Sequence, residues 1–135
     1  MKTDPRAVLE DCVVEVSQVR YAVVTTASVV DEAFATIDDG REYTSVVEEE
    51  RLTDIETLDA EPGWVRLTFD VVLPFELVGF LAVVAGALAD ADVSVFALSA
   101  YSTDHVLVRE ADEDRAVETL AGLGCDVRRA APDAD

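Results

Sequence analysis

The sequence predicts an α+β fold, an antiparallel sheet with helices packed on one face, and three observations carry that prediction. From Trp64 to Val71 polar and apolar residues alternate, the period of a strand with one buried face. An apolar stretch of helical length follows Pro74, and a second segment with apolar residues at helical spacing follows Asp112. Short strand-like runs succeed both helices, so the C-terminal half reads βαββαβ.

Taken in order, Val13–Val16 and Arg20–Thr26 are the first expected strands, with Tyr21-Ala22-Val23-Val24 the clearest part. Phe34–Ile37 and Glu42–Val47 flank Asp38-Asp39-Gly40, a favourable hairpin turn. Between Ala27 and Ala33 there is little room for a full helix, so the N-terminal half reads as a degenerate copy of the same unit.

Pro62-Gly63 is the strongest punctuation and divides the chain into 1–62 and 63–130. In the strand that follows, Val65, Leu67, Phe69 and Val71 form the apolar face and Arg66, Thr68 and Asp70 the polar one. Pro74 ends the strand, because proline cannot donate to a sheet ladder, and opens a helix over about Glu76 to Ala91. Leu77, Leu81, Val84 and Leu88 form one stripe of that helix, while Val78, Phe80 and Val83 spread apolarity around it. Such a helix needs cover on more than one side, from the sheet and from a second subdomain or partner subunit. Val93–Leu98 and Val106–Val108 then form a hairpin around Tyr101–Asp104. Asp112 is the expected N-cap of a helix carrying Ala116, Val117, Leu120 and Leu123. Gly122 and Gly124 end it, Cys125–Arg128 form a last strand, and residues 131–135 are expected to be a disordered tail.

Composition narrows the function classes. Half of the 135 residues are hydrophobic, enough for a core and against disorder. The formal charge is −19, with Lys2 the only lysine. So acidic a surface repels phosphate backbones and argues against nucleic-acid binding. It reads either as a coat for solubility in a salt-rich cytoplasm or as a docking surface for a basic partner. The Met1 end lacks an apolar signal core, and Pro74, Glu76, Gly79 and Gly86 interrupt the longest greasy run, against secretion and a membrane span. Cys12 and Cys125 lack metal-type spacing and read as two buried thiols rather than as a disulfide or reactive site.

Support for catalysis is thin. His105 is the sole histidine and reads as a packing or edge residue, and no hydrolase, metalloprotease, phosphate-loop or dinucleotide motif occurs. Glu48-Glu49-Glu50 reads as a solvated face. The joins at Leu73–Gly79 and Ser99–Asp104 are better suited to binding. The helix beginning at the first join has free backbone N–H groups and a partial positive charge, able to hold a carboxylate. Gly79 allows close approach or serves helix packing, and Glu76 complements the helix dipole or holds an ammonium group. Ser99, Thr103 and Asp104 offer hydroxyls and a carboxylate beside the aromatic Tyr101, or merely satisfy a turn.

The segments Leu73-Pro74-Phe75-Glu76-Leu77-Val78-Gly79-Phe80-Leu81 and Val93–Asp104 resemble ACT domains. The subgroup they resemble most is the small tandem-ACT proteins, related to the ACT modules of aspartate kinases and of cytosolic arginine sensors. The resemblance is specific over Trp64–Val127 and weaker over Tyr21–Val47. It implies two ferredoxin-like βαββαβ units, the one in 1–62 degenerate and that in 63–130 intact. It further implies a non-catalytic, cytoplasmic regulator that binds a small amino-acid effector in a cleft between domains or subunits. A homodimer and a regulated protein partner are expected, and no cofactor. The alternative is an interaction module with an empty cleft. Carried over residue by residue, Phe75, Glu76, Leu77 and Gly79 line one wall and Ser99, Tyr101, Thr103 and Asp104 the other. Glu76 and Asp104 would meet the ammonium or a basic side chain, and the backbone at Leu77–Gly79 the carboxylate. Val78, Ala100, Ser102 and His105 depart from the residues usual in that pattern, each changing a group able to set specificity.

Overall fold

The first described element is a helix that the reading above did not contain. In this computed structural model, which describes residues 4–71 and 79–129, α1 spans Pro5–Glu10. Its start is locally encoded: Asp4 is the N-cap, its carboxylate accepting from the Arg6 N–H at 2.9 Å, and Pro5 occupies the first turn where no donor is needed. Then follow β1 (Val13–Val16), β2 (Tyr21–Thr26), β3 (Ala35–Asp38), β4 (Tyr43–Glu48), a 3₁₀ helix (Glu49–Asp54) and β5 (Asp59–Asp70). Beyond the join come α2 (Phe80–Asp90), β6 (Val95–Ser99), β7 (Asp104–Arg109), a 3₁₀ turn (Glu110–Asp112), α3 (Glu113–Gly122) and β8 (Asp126–Arg129).

These elements form two compact units, one of residues 19–64 and one of residues up to 18 together with those from 65 onward. The division at Pro62-Gly63 differs from this in two respects. Both residues lie inside β5, and α1 with β1 belongs with the C-terminal elements. The cause is non-local pairing. Val13–Val16 pair antiparallel with 67–70 of β5 and parallel with Asp126–Arg129 of β8.

In this second unit the strand order is β6-β7-β5-β1-β8. The βαββαβ plan is present, with β1 inserted between the first and last strands of the motif, and its parallel pairing with β8 departs from the expected all-antiparallel sheet. Val65, Leu67 and Phe69 are fully buried while Asp70 is exposed, as the alternation requires. They share a core with Val14, Val16, Val106 and Val108 of the sheet and with Leu9, Phe80, Val84, Leu88, Ala116 and Leu120 of the helices. Part of the extra cover expected for α2 is thus the chain's own α1, whose Leu9 reaches the same core. Asp112 stands at the N-cap of α3 but makes no capping bond; its carboxylate instead lies 3.4 Å from the Arg115 guanidinium.

The 19–64 unit orders its strands β3-β4-β2-β5, with antiparallel neighbours. No helix occupies 27–33, and the second helix position holds only the 3₁₀ turn of Glu49–Asp54. Val30, Ala33, Leu52 and Ile55 from these shortened links cover a small core of Ala22, Val24 and Val47. At the β3–β4 turn the Asp39 carboxylate accepts from the Arg41 and Glu42 N–H groups at 2.9 and 3.0 Å. Glu49 corrects the reading of 48–50 as a solvated face, since its carboxylate accepts from the Gly63 N–H at 2.7 Å and ties the 3₁₀ helix to β5.

Candidate functional site

Phe69, the penultimate residue of β5, contacts both the start of α2 and the residue just before β7. Its carbonyl accepts the Thr103 hydroxyl, and its ring meets Phe80 edge-on, with centroids 5.4 Å apart and planes at 90°. Thr103 precedes β7 and Phe80 begins α2. Next to this contact the Thr68 hydroxyl and His105 Nδ1 are 3.0 Å apart, so β7 starts beside the point where β5 ends. The helix start and the hairpin turn therefore emerge at one end of one sheet.

On the hairpin side, Ser99 pairs with Asp104 in the β6–β7 register, and its hydroxyl donates to Asp104 Oδ1 at 2.6 Å. The turn is closed by the Ala100 N–H donating to the Thr103 carbonyl at 2.8 Å. Tyr101, at the tip, is 81% exposed. Of the four predicted hairpin residues, Thr103 is thus committed to the sheet, and Ser99 fixes one carboxylate oxygen of Asp104.

On the helix side, Gly79 is the N-cap of α2 with a left-handed backbone (φ +90°), a conformation that disfavours any side chain. Its carbonyl accepts from the Val83 N–H at 2.9 Å, starting the helix. A Cβ at Gly79 would sit 3.8 Å from Pro5 Cγ, so the first turn of α1 stands against this join. Phe75, Glu76 and Leu77, also predicted for this wall, lie outside the described residues, as does the expected helix start at Glu76.

His105 occupies an interior strand rather than an edge, and it is half-buried. Burial pushes its imidazole below the ordinary histidine value, the neighbouring Arg66 charge adds to that, and Asp104 opposes it. The imidazole is therefore held neutral by its surroundings, its Nδ1 fixed by Thr68. Sequence reasoning missed the Thr68–His105 pair and the approach of Pro5. Asp4-Pro5 does carry a helix-start signal, whereas the two pairings depend on register and have no local one.

Elsewhere, the 19–64 unit has a cleft of about 250 Å³ lined by Thr26, Ser28, Asp31, Arg51, Asp54 and Glu56 among others. Arg51 crosses it, donating to the Asp31 and Glu32 carbonyls at 2.8 and 3.1 Å, so the cation braces the loop that replaces a helix. Among the described residues, no group of three or more His, Cys, Asp or Glu side chains is arranged to hold a metal ion, and no helix is long and apolar enough to cross a membrane.

A family model described as ACT domain matches residues 59–122. Among solved structures, protein Atu0741 from Agobacterium tumefaciens is similar with a TM-score of 0.75 and 19% identity, covering 89% of this chain and 94% of that one. A Vibrio cholerae protein of unknown function, VC0802, described as a possible transport protein, has a TM-score of 0.72 and 22% identity over 88% and 94% of the two chains. The ligand-free regulatory subunit of aspartate kinase from Thermus thermophilus has a TM-score of 0.60 and 10% identity, covering 82% of this chain and 95% of that one. At these identities the likeness is one of fold.

Proposed function

We propose, from the match of the ACT domain model to residues 59–122, that this chain is a non-catalytic regulatory protein of ACT type that binds a small amino-acid effector at the end of β5. The observation that carries this reading is the meeting of the hairpin turn and the start of α2 at Phe69, whose carbonyl engages Thr103 and whose ring engages Phe80. On this reading Asp104, oriented by Ser99, receives the effector's ammonium or a basic side chain. Glu76 assists it, and Phe75 and Leu77 flank the ligand. The backbone from Leu77 to Gly79, at the positive end of α2, receives the carboxylate, and Tyr101 closes over the ligand from the hairpin tip. A ligand that bridges hairpin and helix binds one relative position of the two better than others. Occupancy then shifts the population of conformations that a partner protein reads. A homodimer of such chains, in a salt-rich cytoplasm that screens the −19 charge, completes the proposal.

One observation favours a second reading. The Ser99 hydroxyl is satisfied by Asp104 across the hairpin, and the Thr103 hydroxyl by the Phe69 carbonyl of β5. Hydroxyls already satisfied by the protein suit an ACT surface used for assembly with no effector.

A thermal-shift panel of the proteinogenic amino acids, run on the full chain in molar KCl, distinguishes the two. An effector at about 100 times its dissociation constant adds about 2.7 kcal/mol, which for a chain of this length raises Tm by roughly 9 °C. Asp104→Asn should remove that shift while leaving the ligand-free Tm within about 2 °C, as expected for a change at a partly exposed site. No shift with any amino acid sinks effector binding and leaves the assembly reading. An undiminished shift in Asp104→Asn removes this carboxylate from the site.

A further inference from the structure

The two cysteines stand at opposite ends of the chain, yet the inserted strand brings them side by side. The Asp126 N–H donates to the Cys12 carbonyl at 2.9 Å, and the register that follows pairs Val13 with Asp126 and Val14 with Val127. One step back along the same parallel ladder, Cys12 faces Cys125. Side chains alternate across a sheet, so Cys12 shares the face of Val14 and Val16, and Cys125 that of Val127. All five belong to or pack against one core. Facing residues on neighbouring strands are about 4.8 Å apart, within the roughly 4.4–6.8 Å that disulfide-bonded residues span. Both are free thiols, 1% and 6% exposed.

We propose that Cys12 and Cys125 form a reversible oxidation site, at which a small neutral oxidant such as hydrogen peroxide converts the pair to a disulfide that clamps β1 and α1 into the C-terminal sheet. In the first step the Cys125 thiolate attacks a peroxide oxygen. The S–O bond forms, the O–O bond breaks, and the departing hydroxide takes up a proton as water. In the second, the Cys12 sulfur attacks the Cys125 sulfur, the S–S bond forms, the S–O bond breaks and a second water leaves. Two thiols thus supply the two electrons that reduce one peroxide to two waters, and a dithiol reductant reverses the change.

The surroundings divide these roles between the two sulfurs. Hydrogen bonding from Cys12 draws the Cys125 thiol below its usual value, favouring it as the attacking thiolate. The same contact, with burial and the charges of Cys125 and Asp70, pushes the Cys12 thiol up. Cys125 is also the more accessible of the two.

The clamp has a mechanical meaning in this topology. β1 is held in the sheet by its ladders to β5 and β8 and by Leu9 of α1 in the core, with no short connection to either neighbour strand. A Cys12–Cys125 bond closes a loop of about 100 residues, the case in which a cross-link restricts the unfolded chain most.

The test uses the full-length chain in molar KCl, treated with hydrogen peroxide, quenched, and compared with a dithiothreitol-reduced sample. Expected are an intact mass lighter by two hydrogens, a peptide joining Cys12 to Cys125, recovery of both thiols on reduction, and a Tm higher by roughly 10 °C in the oxidised form. Cys125→Ala should show no loss of two hydrogens within the chain under the same treatment. Persistence of both thiols, cross-linking only between chains, or oxygen addition to a single sulfur would each overturn the site. A disulfide that leaves Tm unchanged or lowers it would overturn the clamp. The wild-type measurements decide the matter even if the variant fails to fold.

Discussion

Replacing Gly124 with alanine tests whether the N-terminal segment belongs to the C-terminal unit. Gly124 follows α3 with φ +106°, in the left-handed half of backbone space. A Cβ there would meet the Glu10 Cα at 3.2 Å and the Glu10 backbone nitrogen at 3.7 Å. The neighbour is the main chain of α1, anchored by buried Leu9, so it cannot rotate away as a side-chain tip would. Gly40, in the β3–β4 turn, provides the comparison: its φ is +83°, and an added Cβ would meet nothing within 4 Å. Left-handed strain of about 1–2 kcal/mol applies to both alanine variants. Crowding against packed backbone adds about 1–3 kcal/mol at Gly124 alone. Gly124→Ala should therefore lose roughly 2–5 kcal/mol and Gly40→Ala roughly 1–2. Urea unfolding in molar KCl, followed by far-ultraviolet circular dichroism, reads this out, because the helices of one unit and the strands of both contribute to the signal. With a mid-range urea slope of about 2 kcal/mol/M, the excess loss at Gly124 moves the midpoint by roughly 0.5–1.5 M beyond that of Gly40→Ala. Equal shifts in the two variants would refute the close approach of α1 to the α3–β8 turn.

Three further outcomes are expected. Thr103→Val keeps the shape but leaves the Phe69 carbonyl without its side-chain donor, so stability should fall by about 1 kcal/mol in the same urea assay; an unchanged midpoint would show that the bond contributes nothing. The folded chain holds His105 below its ordinary pKa, so between that lowered value and about 6.5 the unfolded chain binds more protons. The His105 contribution is therefore intact above about pH 6.5 and declines as pH falls through that window. The difference in stability between wild type and His105→Gln should shrink or reverse on acidification from pH 7 to 5; a pH-independent difference would count against burial of the ring. Finally, with net charge −19, Tm should rise steadily from 0.1 to 2 M KCl as the screening length shrinks from about 10 Å to less than 3 Å, and a flat profile would show that charge repulsion does not limit the fold.

The local grammar of the chain was legible where one element's own residues decide its state. Alternation at Val65, Leu67 and Phe69 gave the buried face of β5, and Asp38-Asp39-Gly40 gave the β3–β4 turn. The start of α1 was equally local, in Asp4-Pro5, and went unread because a six-residue helix carries too little periodicity to stand out. The hairpin wall of the candidate site could be named because its residues are contiguous and pair with one another across a single turn. Its meeting with the helix start could only be posed as a condition, since the Thr103 and Phe80 contacts to Phe69 join separate elements.

By itself, then, the sequence determined the element types, the βαββαβ order of the C-terminal half, its resemblance to ACT domains, and the residues to suspect. Only the tertiary structure decided that Val13–Val16 enters between β5 and β8, that Pro5 stands against Gly79, and that Cys12 faces Cys125. The physical reason is that alternation specifies which face of a strand is buried but not which neighbour completes its ladder. An apolar strand such as β1 satisfies its backbone equally well beside any free edge of the right length. The choice is settled by the shared core of Leu9, Val14, Val16, Phe69 and Phe80, whose first three members and last two are separated by about fifty residues of intervening chain.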